Sequence, residues 1–236
     1  NQPRYRKKRK INLKRLLLSL AFLCIISLMP LAYGSFFAIE NIKVTGNKIV
    51  SDKEILKAME YYYDKNLLSV KSTDVKNMLQ ETLPLQDVNV EYKLPRTLIV
   101  KVKEREIVTA INYLNGFALI DKHGIIVQLK NKLENYSIPI VTGLDVVEAN
   151  IAKRPIFDHD EECFQKLLEL LSKLSTMSSE LSEINIVIGE DDTNFYLYTL
   201  DGYQVFLGNG DDEKISILND LLADVRNKNL GKGLLD

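Results

Sequence analysis

The longest stretch without a charged residue runs from Leu16 to Ile39 and follows a strongly basic tail. As a helix, these 24 residues would be roughly 36 Å long at about 1.5 Å per residue, enough to cross a hydrocarbon core about 30 Å thick. Positive charges beside a span favour the cytoplasmic side. We therefore expect a cytoplasmic tail over residues 1–15, a transmembrane helix over 16–39 and extracytoplasmic residues from Glu40 onward. The topology-determining cations are Arg4, Arg6, Lys7, Lys8, Arg9, Lys10, Lys14 and Arg15.

A cleaved signal peptide is the alternative interpretation of this region. Ala32-Tyr33-Gly34 weakly resembles a cleavage site, and Pro30 could end a short apolar core. The uncharged run is longer than the roughly 7 to 15 apolar residues of a signal peptide, so a retained anchor is favoured. Because the chain starts at Asn1 without an initiator Met, we expect the natural N-terminus to lie further upstream.

Charge differs between the tail and the rest of the chain. The whole chain has 31 basic and 32 acidic residues, so without the 8 tail cations 23 basic and 32 acidic residues remain, a net charge of −9. An acidic domain binds phosphate backbones poorly because like charges repel. The sequence therefore predicts no nucleic-acid partner, whereas the basic tail and the span predict contact with membrane lipid.

Two cysteines, Cys24 and Cys163, are too few for a disulfide framework, and the predicted topology keeps them apart. The 197 residues from Glu40 onward must then fold on hydrophobic cores alone. That length is sufficient for two domains.

The first of these domains, residues 40–105, is predicted to have the order strand, helix, helix, strand, strand. Ser51 and Glu54 have the spacing of a capping box ahead of an apolar helix face. Ser72 or Thr73 is the expected cap of the second helix. The strands alternate apolar and polar residues, with Ile42 and Val44, then Val88, Val90 and Tyr92, then Leu98, Val100 and Val102 facing inward.

The second domain, residues 106–236, is predicted to combine short strands with two amphipathic helices. Asn115-Gly116 and Asp201-Gly202 are typical hairpin turns between alternating segments. We expect a mostly antiparallel sheet with helices on one face, so the whole chain falls in the α+β class. The helix faces contain Phe164, Leu167, Leu168, Leu171 and Leu174, and Ile215, Leu218, Leu221, Leu222 and Val225.

Catalytic chemistry finds little support in the sequence. His123 precedes Gly124 in a predicted turn, and His159 lies among acidic residues that meet a helix dipole favourably. The sequence contains no G-x-S-x-G, H-E-x-x-H or P-loop motif. We therefore predict no catalytic residue, no metal site and no cofactor.

A series of short motifs follows the tail and the predicted span: IKVTGN at 42–47, KLPRTL at 93–98, ER at 104–105, LIDKHG at 119–124 and IPIVTG at 138–143. Each is weak alone, but their order and spacing are specific. The succession resembles the bacterial cell-division family FtsQ/DivIB. The resemblance implies a POTRA domain over 40–105 and the family's β domain over 106–236. It also implies a non-enzymatic scaffold, enriched in the cell membrane at the division septum, that links early division-ring components to septal wall synthesis.

The same resemblance implies the partners and their site. Members of the family bind FtsL-like and FtsB/DivIC-like membrane proteins, the latter adding a strand to the sheet edge after the last helix. Leu234, Leu235 and Asp236 match the opening of that edge strand. Because the sequence ends there, we expect either a truncated β domain or a short edge. A chain extended by a full strand should bind a DivIC-like peptide more tightly.

Two other classes of protein are compatible with parts of this pattern. A POTRA-bearing chaperone or translocation component should have repeated POTRA units or a terminal barrel, whereas this sequence predicts one unit. An anchored extracytoplasmic hydrolase would need polar side chains that converge in a pocket. The divisome scaffold is the preferred interpretation.

Overall fold

The computed structural model describes residues 13–33, 35–134, 137–189, 192–228 and 232–235. Helix α1 (Leu13–Tyr33) comes first, and a three-residue 3₁₀ helix, Ser35–Phe37, follows it. Large apolar side chains are exposed along α1 from Leu13 to Met29. Within the described parts of the chain, no helix combines the length and the hydropathy that a membrane crossing needs.

The predicted span is wrong at its C-terminal end, because α1 ends at Tyr33 and not at Ile39. Ile39 is fully buried, and its N–H donates to the Lys65 carbonyl at 2.9 Å. Ala38 forms a bridge with Asn66. These apolar residues belong to the core of the unit that follows, and hydropathy does not distinguish burial in a protein core from burial in a membrane.

The N-terminal unit, residues 35–105, has the predicted order of one strand, two helices and two strands. Its elements are β1 (Asn41–Thr45), α2 (Asp52–Ala58), α3 (Ser72–Thr82), β2 (Leu85–Lys93) and β3 (Thr97–Glu104). In its three-stranded sheet β3 is central, with β1 parallel on one side and β2 antiparallel on the other. Fully buried side chains from both helices and from β3 form the core, including Ile55, Val75, Leu79, Leu98 and Val100.

The capping box of α2 is confirmed. Ser51 Oγ accepts the Glu54 N–H at 3.3 Å, and the Glu54 carboxylate accepts the Ser51 N–H at 2.9 Å. The predicted cap of α3 is wrong, since the Lys71 backbone carbonyl begins this helix in place of a Ser72 or Thr73 side chain. Helix α3 therefore begins one residue earlier than the hydroxyl-containing residues suggested.

Two side chains, one at each end of the three-stranded sheet, form hydrogen bonds to neighbouring loops. Tyr92, predicted to face inward, is 42% exposed, and its hydroxyl donates to the Val70 carbonyl at 2.8 Å. At the other end of the sheet, the Glu104 carboxylate accepts the N–H groups of Lys48 and Ile49 at 2.8 and 2.9 Å. The loop after β1 is therefore fixed to the last residue of β3.

The C-terminal unit, residues 106–235, is built on one sheet of eight strands in the order β13-β12-β11-β10-β7-β4-β5-β6. These are β4 (Ile107–Tyr113), β5 (Gly116–Asp121), β6 (Ile126–Lys130), β7 (Ile140–Thr142), β10 (Leu181–Ile188), β11 (Thr193–Thr199), β12 (Gln204–Gly208) and β13 (Leu234–Leu235). Four of its seven strand pairings are antiparallel, as predicted. The three parallel pairings are β4·β7, β7·β10 and β12·β13.

Helices α4 (Glu161–Lys173) and α5 (Asp212–Lys228) pack against this sheet. A small hairpin, β8 (Val146–Glu148) and β9 (Ile156–Phe157), was not predicted. The loop between its strands approaches the β6 edge, where Ile126 N–H donates to the Lys153 carbonyl at 2.8 Å. The shared core includes Phe164, Leu167, Phe195, Leu197 and Leu218.

A buried ion pair connects the two units. Arg105, which follows β3, donates from Nη1 to Oδ2 of Asp121 in β5 at 2.7 Å. The two side chains are 15% and 4% exposed. The other carboxylate oxygen of Asp121 accepts the N–H groups of His123 and Ile125 at 2.9 and 2.8 Å. Asp121 thus orders its own turn and also holds the last residue of the N-terminal unit.

Candidate partner-binding edge of the C-terminal sheet

The candidate site is the sheet edge formed by β13 and β12. Leu234 and Leu235 pair in parallel with Gln204 and Val205, and the Gln204 N–H donates to the Gly233 carbonyl at 3.2 Å. Backbone groups alternate in direction along a parallel strand. Because the Gly233 carbonyl faces β12, the N–H and C=O of Leu234 face the outer edge.

The two leucines of β13 have different surroundings. Leu234 is 59% exposed, whereas Leu235 is partly buried and packs against the core of the C-terminal unit. Leu234 therefore presents its backbone polar groups and its side chain outward, whereas Leu235 holds β13 against the core. A strand added at this edge would find a polar backbone template beside an apolar side chain.

An aromatic surface lies beside this edge on the face of the sheet opposite the buried side chains of Leu197, Val205 and Leu207. The rings of Tyr196 and Phe206 are 5.0 Å apart, and Lys214 Nζ lies 5.1 Å from the Phe206 ring centroid. Gln204 Nε2 donates to the Tyr198 hydroxyl at 3.1 Å. All are half-exposed, so the surface can contact a partner through aromatic and amide groups.

Helix α5 fixes the edge through one arginine near its end. Arg226 Nε donates to Asp201 at 2.7 Å, and its Nη1 donates to Glu180 at 2.9 Å. The hydrogen bond from Arg226, followed by one from Thr199, lowers the pKa of Asp201 to about 2. The same two carboxylates raise the pKa of the Arg226 guanidinium. This bridge joins α5 to the turn between β11 and β12 and to the start of β10.

The residues predicted from the sequence are only partly within the described chain. Leu234 and Leu235 form β13, whereas Asp236 lies outside the described residues. Lys14 and Arg15 lie in the first turn of α1 and are exposed. The other tail cations, Arg4, Arg6, Lys7, Lys8, Arg9 and Lys10, also lie outside the described residues.

Sequence reasoning missed Phe206 and Gln204 as neighbours of the candidate edge. The available signal was period-two alternation, because Val205 and Leu207 are buried and Gln204 and Phe206, which alternate with them, must face the other side. Their proximity to Leu234 depends on the parallel pairing of β12 with β13, which local periodicity does not encode.

Residues considered for other chemistry lie elsewhere. His159 is 88% exposed, with Asp158 at 3.4 Å, and Cys163 is buried with its sulfur 3.3 Å from the Thr193 hydroxyl. Among the described residues, no three His, Cys, Asp or Glu side chains are grouped as metal ligands would be.

Comparison with known proteins gives matches along most of the chain. A family model described as "POTRA domain, FtsQ-type" matches residues 37–105, and one described as "Cell division protein FtsQ/DivIB, C-terminal" matches residues 110–236. The cell division protein DivIB of Clostridium tetani is 26% identical over 153 residues, 64% of this chain and 57% of that protein. The chain thus spans little more than half the length of this relative.

Two further matches have similar sequence identity or lower. FtsQ of Geotalea daltonii is 25% identical over 185 residues, 77% of this chain and 65% of that protein. A solved extracytoplasmic domain of DivIB from Geobacillus stearothermophilus matches with a TM-score of 0.34 and 15% identity, covering 53% of this chain and 97% of that one. That structural similarity is too low to support an argument. Since the C-terminal family model alone matches more than half of the chain, the chain belongs to the FtsQ/DivIB family of cell division proteins.

Proposed function

We propose that the chain is a non-enzymatic scaffold of the divisome that binds FtsB/DivIC-like and FtsL-like membrane proteins. In this role it links early division-ring components to septal wall synthesis. The observation that carries the proposal is the outer strand β13, where the Leu234 backbone faces away from the sheet and its side chain is 59% exposed. A partner strand would extend the sheet at this edge and contact the aromatic surface beside it.

The proposal includes a membrane anchor formed by the uncharged part of α1, residues 16–33. Leu16, Leu17 and Leu18 are 53%, 59% and 70% exposed. Because consecutive residues of a helix point in different directions, apolar side chains are exposed on several sides of α1. A helix that is apolar on all sides is suited to a lipid environment. With the basic tail 1–15 in the cytoplasm, both units would lie outside the cell membrane, concentrated at the septum.

The proposed domain division is 40–105 for the POTRA domain and 106–236 for the β domain. It is supported by two separate hydrophobic clusters, one contained in each unit. A scaffold with two folded domains in series above one anchor would hold weak partners in the same membrane plane. Their effective concentration would then rise without any new contact.

The test of strand addition is the Leu234→Pro variant. Proline removes the outward N–H of residue 234 and leaves the hydrogen bond between Gln204 and Gly233 in place. Loss of one backbone hydrogen bond should weaken binding by about tenfold. The measurement is a calorimetric titration of the full chain with a peptide from the extracytoplasmic part of a DivIC-like protein.

Two control variants separate backbone recognition from other effects. Leu234→Ala keeps the N–H and should lose less affinity than Leu234→Pro. Leu200→Ala alters a leucine that is 69% exposed in a turn and should bind as the unaltered chain does. If Leu234→Pro folds normally by circular dichroism and binds the peptide with unchanged affinity, this edge is not the partner site.

A further inference from the structure

The end of the N-terminal unit nearest α1 exposes four large side chains that are wholly or largely apolar. Phe36 is 49%, Tyr61 73%, Leu68 57% and Leu94 61% exposed. We call this group, with Lys65, the anchor-side face. Its members come from four separate segments, so their position on one face follows from the fold and not from sequence proximity.

Hydrogen bonds hold these segments around the point where the chain leaves α1. Arg96 Nε, in the turn that contains Leu94, donates to the Phe36 carbonyl at 3.1 Å. The Leu67 N–H donates to the Phe37 carbonyl at 2.8 Å, which places Leu68 beside the same segment. The Asp64 N–H donates to the Ile39 carbonyl at 3.1 Å and brings the turn after Tyr61 to this end.

Chain length places this face next to the end of α1. Tyr33 is the last residue of α1, and Phe36 follows three residues later. Three residues span at most about 11 Å even when fully extended. The turn that contains Leu94 is bonded to Phe36 itself, so it also lies close to the end of α1. If α1 is the proposed anchor, this face must lie at the membrane surface.

The chemistry of the anchor-side face is that of residues at a membrane interface. Aromatic side chains with a polar end are enriched at the headgroup level of membranes. Lys65 Nζ lies 4.5 Å from the Tyr61 ring centroid, so a cation lies over an exposed aromatic ring. Lysines next to apolar groups can keep the ammonium among headgroups while the carbon chain covers apolar surface.

The charges on this end are nearly balanced. The cations are Lys65, Lys71, Lys93 and Arg96, and the acids are Glu40, Glu60, Asp64 and Asp74. Arg96 and Glu40 form an ion pair with each other. Attraction to an acidic surface is therefore weak here, and apolar contact is the main source of membrane affinity.

We propose that the anchor-side face is a second membrane contact, in which Phe36, Tyr61, Leu68 and Leu94 enter the interface of the outer leaflet. The proposal rests on the proposed anchoring by α1 and adds an orientation for the folded part. The N-terminal unit stands on this face with β1 and β3 directed away from the bilayer. Strand β3 then places Glu104 about 23 Å further out, at roughly 3.3 Å per residue.

The absence of tryptophan from the sequence allows a direct test with single-tryptophan variants. The full chain is reconstituted in nanodiscs of phosphatidylcholine, with or without bromine on the acyl chains. Leu94→Trp and Leu68→Trp report on the anchor-side face. Leu23→Trp reports on α1, and Ile49→Trp is the matched control at the opposite end of the same unit, where Ile49 is 46% exposed and bonded to Glu104.

The expected result is a loss of fluorescence in brominated lipid for tryptophan at positions 94, 68 and 23, with no loss at position 49. The emission of the first two should also shift to shorter wavelength relative to Ile49→Trp. Two reporters at the face protect the test against one variant that does not fold. Neutral lipid ensures that quenching reflects apolar contact and not attraction of charges.

Other outcomes separate the two proposals. If Leu23→Trp is quenched but positions 94 and 68 behave like position 49, the anchor stands and the second contact is overturned. If none is quenched, both proposals fail. Quenching at 94 and 68 without quenching at 23 supports the face and overturns the anchor. A spectral shift at 94 that requires an added division protein, without any effect of bromine, assigns the face to a protein partner and overturns the lipid proposal.

Discussion

At the scale of single residues, Arg226 connects two carboxylates near the candidate edge. It donates to Asp201, in the turn between β11 and β12, and to Glu180, directly before β10. Both carboxylates are 42% to 49% exposed, so solvent screens much of their interaction with the guanidinium. We therefore expect the ion pairs of Arg226 to raise the free energy of unfolding only modestly. Their main effect is to position the turn next to β12.

This interaction predicts a pH dependence of stability. The pKa of Asp201 is about 2 in the folded protein, against an ordinary value of 3.8. A lowered folded pKa stabilises the protein above the unfolded pKa, and the contribution is lost as pH falls from about 4 towards 2. Asp201→Asn should lower the free energy of unfolding by about 1 kcal/mol at neutral pH, after allowance for screening. Urea unfolding at pH 7 and near pH 2 measures this difference, which should be largely lost at the lower pH.

An exposed pair on the same helix provides the control. Lys228 and Asp224 are 59% and 53% exposed and form an ion pair four residues apart, worth less than about 0.5 kcal/mol. Asp224→Asn should therefore change stability little at either pH. A loss for Asp201→Asn that is the same at both pH values would show that Arg226 is not the cause.

At the scale of elements, β7 is the strand that joins the two halves of the large sheet. It pairs in parallel with β4 on one side and with β10 on the other. Gly143 directly follows this strand with φ +89°, and a Cβ built there would lie 1.9 Å from the Ile186 carbonyl oxygen in β10. Both the backbone conformation and the close approach therefore require glycine.

Gly143→Ala should destabilise the chain by about 2 kcal/mol or more, because the clash is with backbone and the left-handed conformation strains any L residue. The free energy of unfolding from urea denaturation measures the loss. Gly233→Ala is the matched control, since a Cβ at Gly233 would meet nothing within 4 Å. Equal stabilities of the two variants would contradict the assigned contact between β7 and β10.

Most elements of the fold could be predicted, because each has a local signal. The alternation around Val88 and Val100 and the capping box at Ser51 are examples. The position of β7 between β4 and β10 could not be predicted, because it consists of three residues and its partners are distant in sequence. Period-two patterns identify strands but do not specify which strands are neighbours.

The candidate site, like the fold, could be predicted only in part from the sequence. Leu234 and Leu235 were suggested by family resemblance, and the structure places them in an outer strand. Their surroundings, Phe206 and the Arg226 bridge, depend on contacts between segments that are far apart in the sequence. Such contacts arise from tertiary packing, and no local pattern of residues predicts them.

At the scale of the whole molecule, the N-terminal unit is connected to α1 at one end and to the C-terminal unit at the opposite end. The chain from α1 enters at the start of β1, and β1 and β3 run parallel from that end. The chain leaves after Glu104, at the opposite end, where Arg105 meets Asp121 of the C-terminal unit. In the proposed orientation, the N-terminal unit spaces the partner-binding sheet away from the bilayer, and the Arg105–Asp121 pair sets the direction in which that sheet projects.

The last prediction concerns this connection. In Asp121→Ala, Arg105 keeps its charge while it loses the carboxylate, and its Nε already has no hydrogen-bond partner among the described residues. An unpaired buried cation costs roughly 3 kcal/mol or more, so Asp121→Ala should lower the free energy of unfolding by about that amount. Calorimetric unfolding of the full chain should also change from one transition to two, because the ionic connection between the units is lost.

A double variant separates the cost of the buried charge from the value of the pair. In Arg105→Met with Asp121→Ala, no unpaired charge remains at the junction, and methionine fills much of the space of the arginine side chain. This double variant should therefore be more stable than Asp121→Ala alone, by about 1 kcal/mol or more. If it is instead less stable than Asp121→Ala, the arginine side chain contributes more to the junction than its unpaired buried charge costs, and the assigned destabilisation by that charge is wrong.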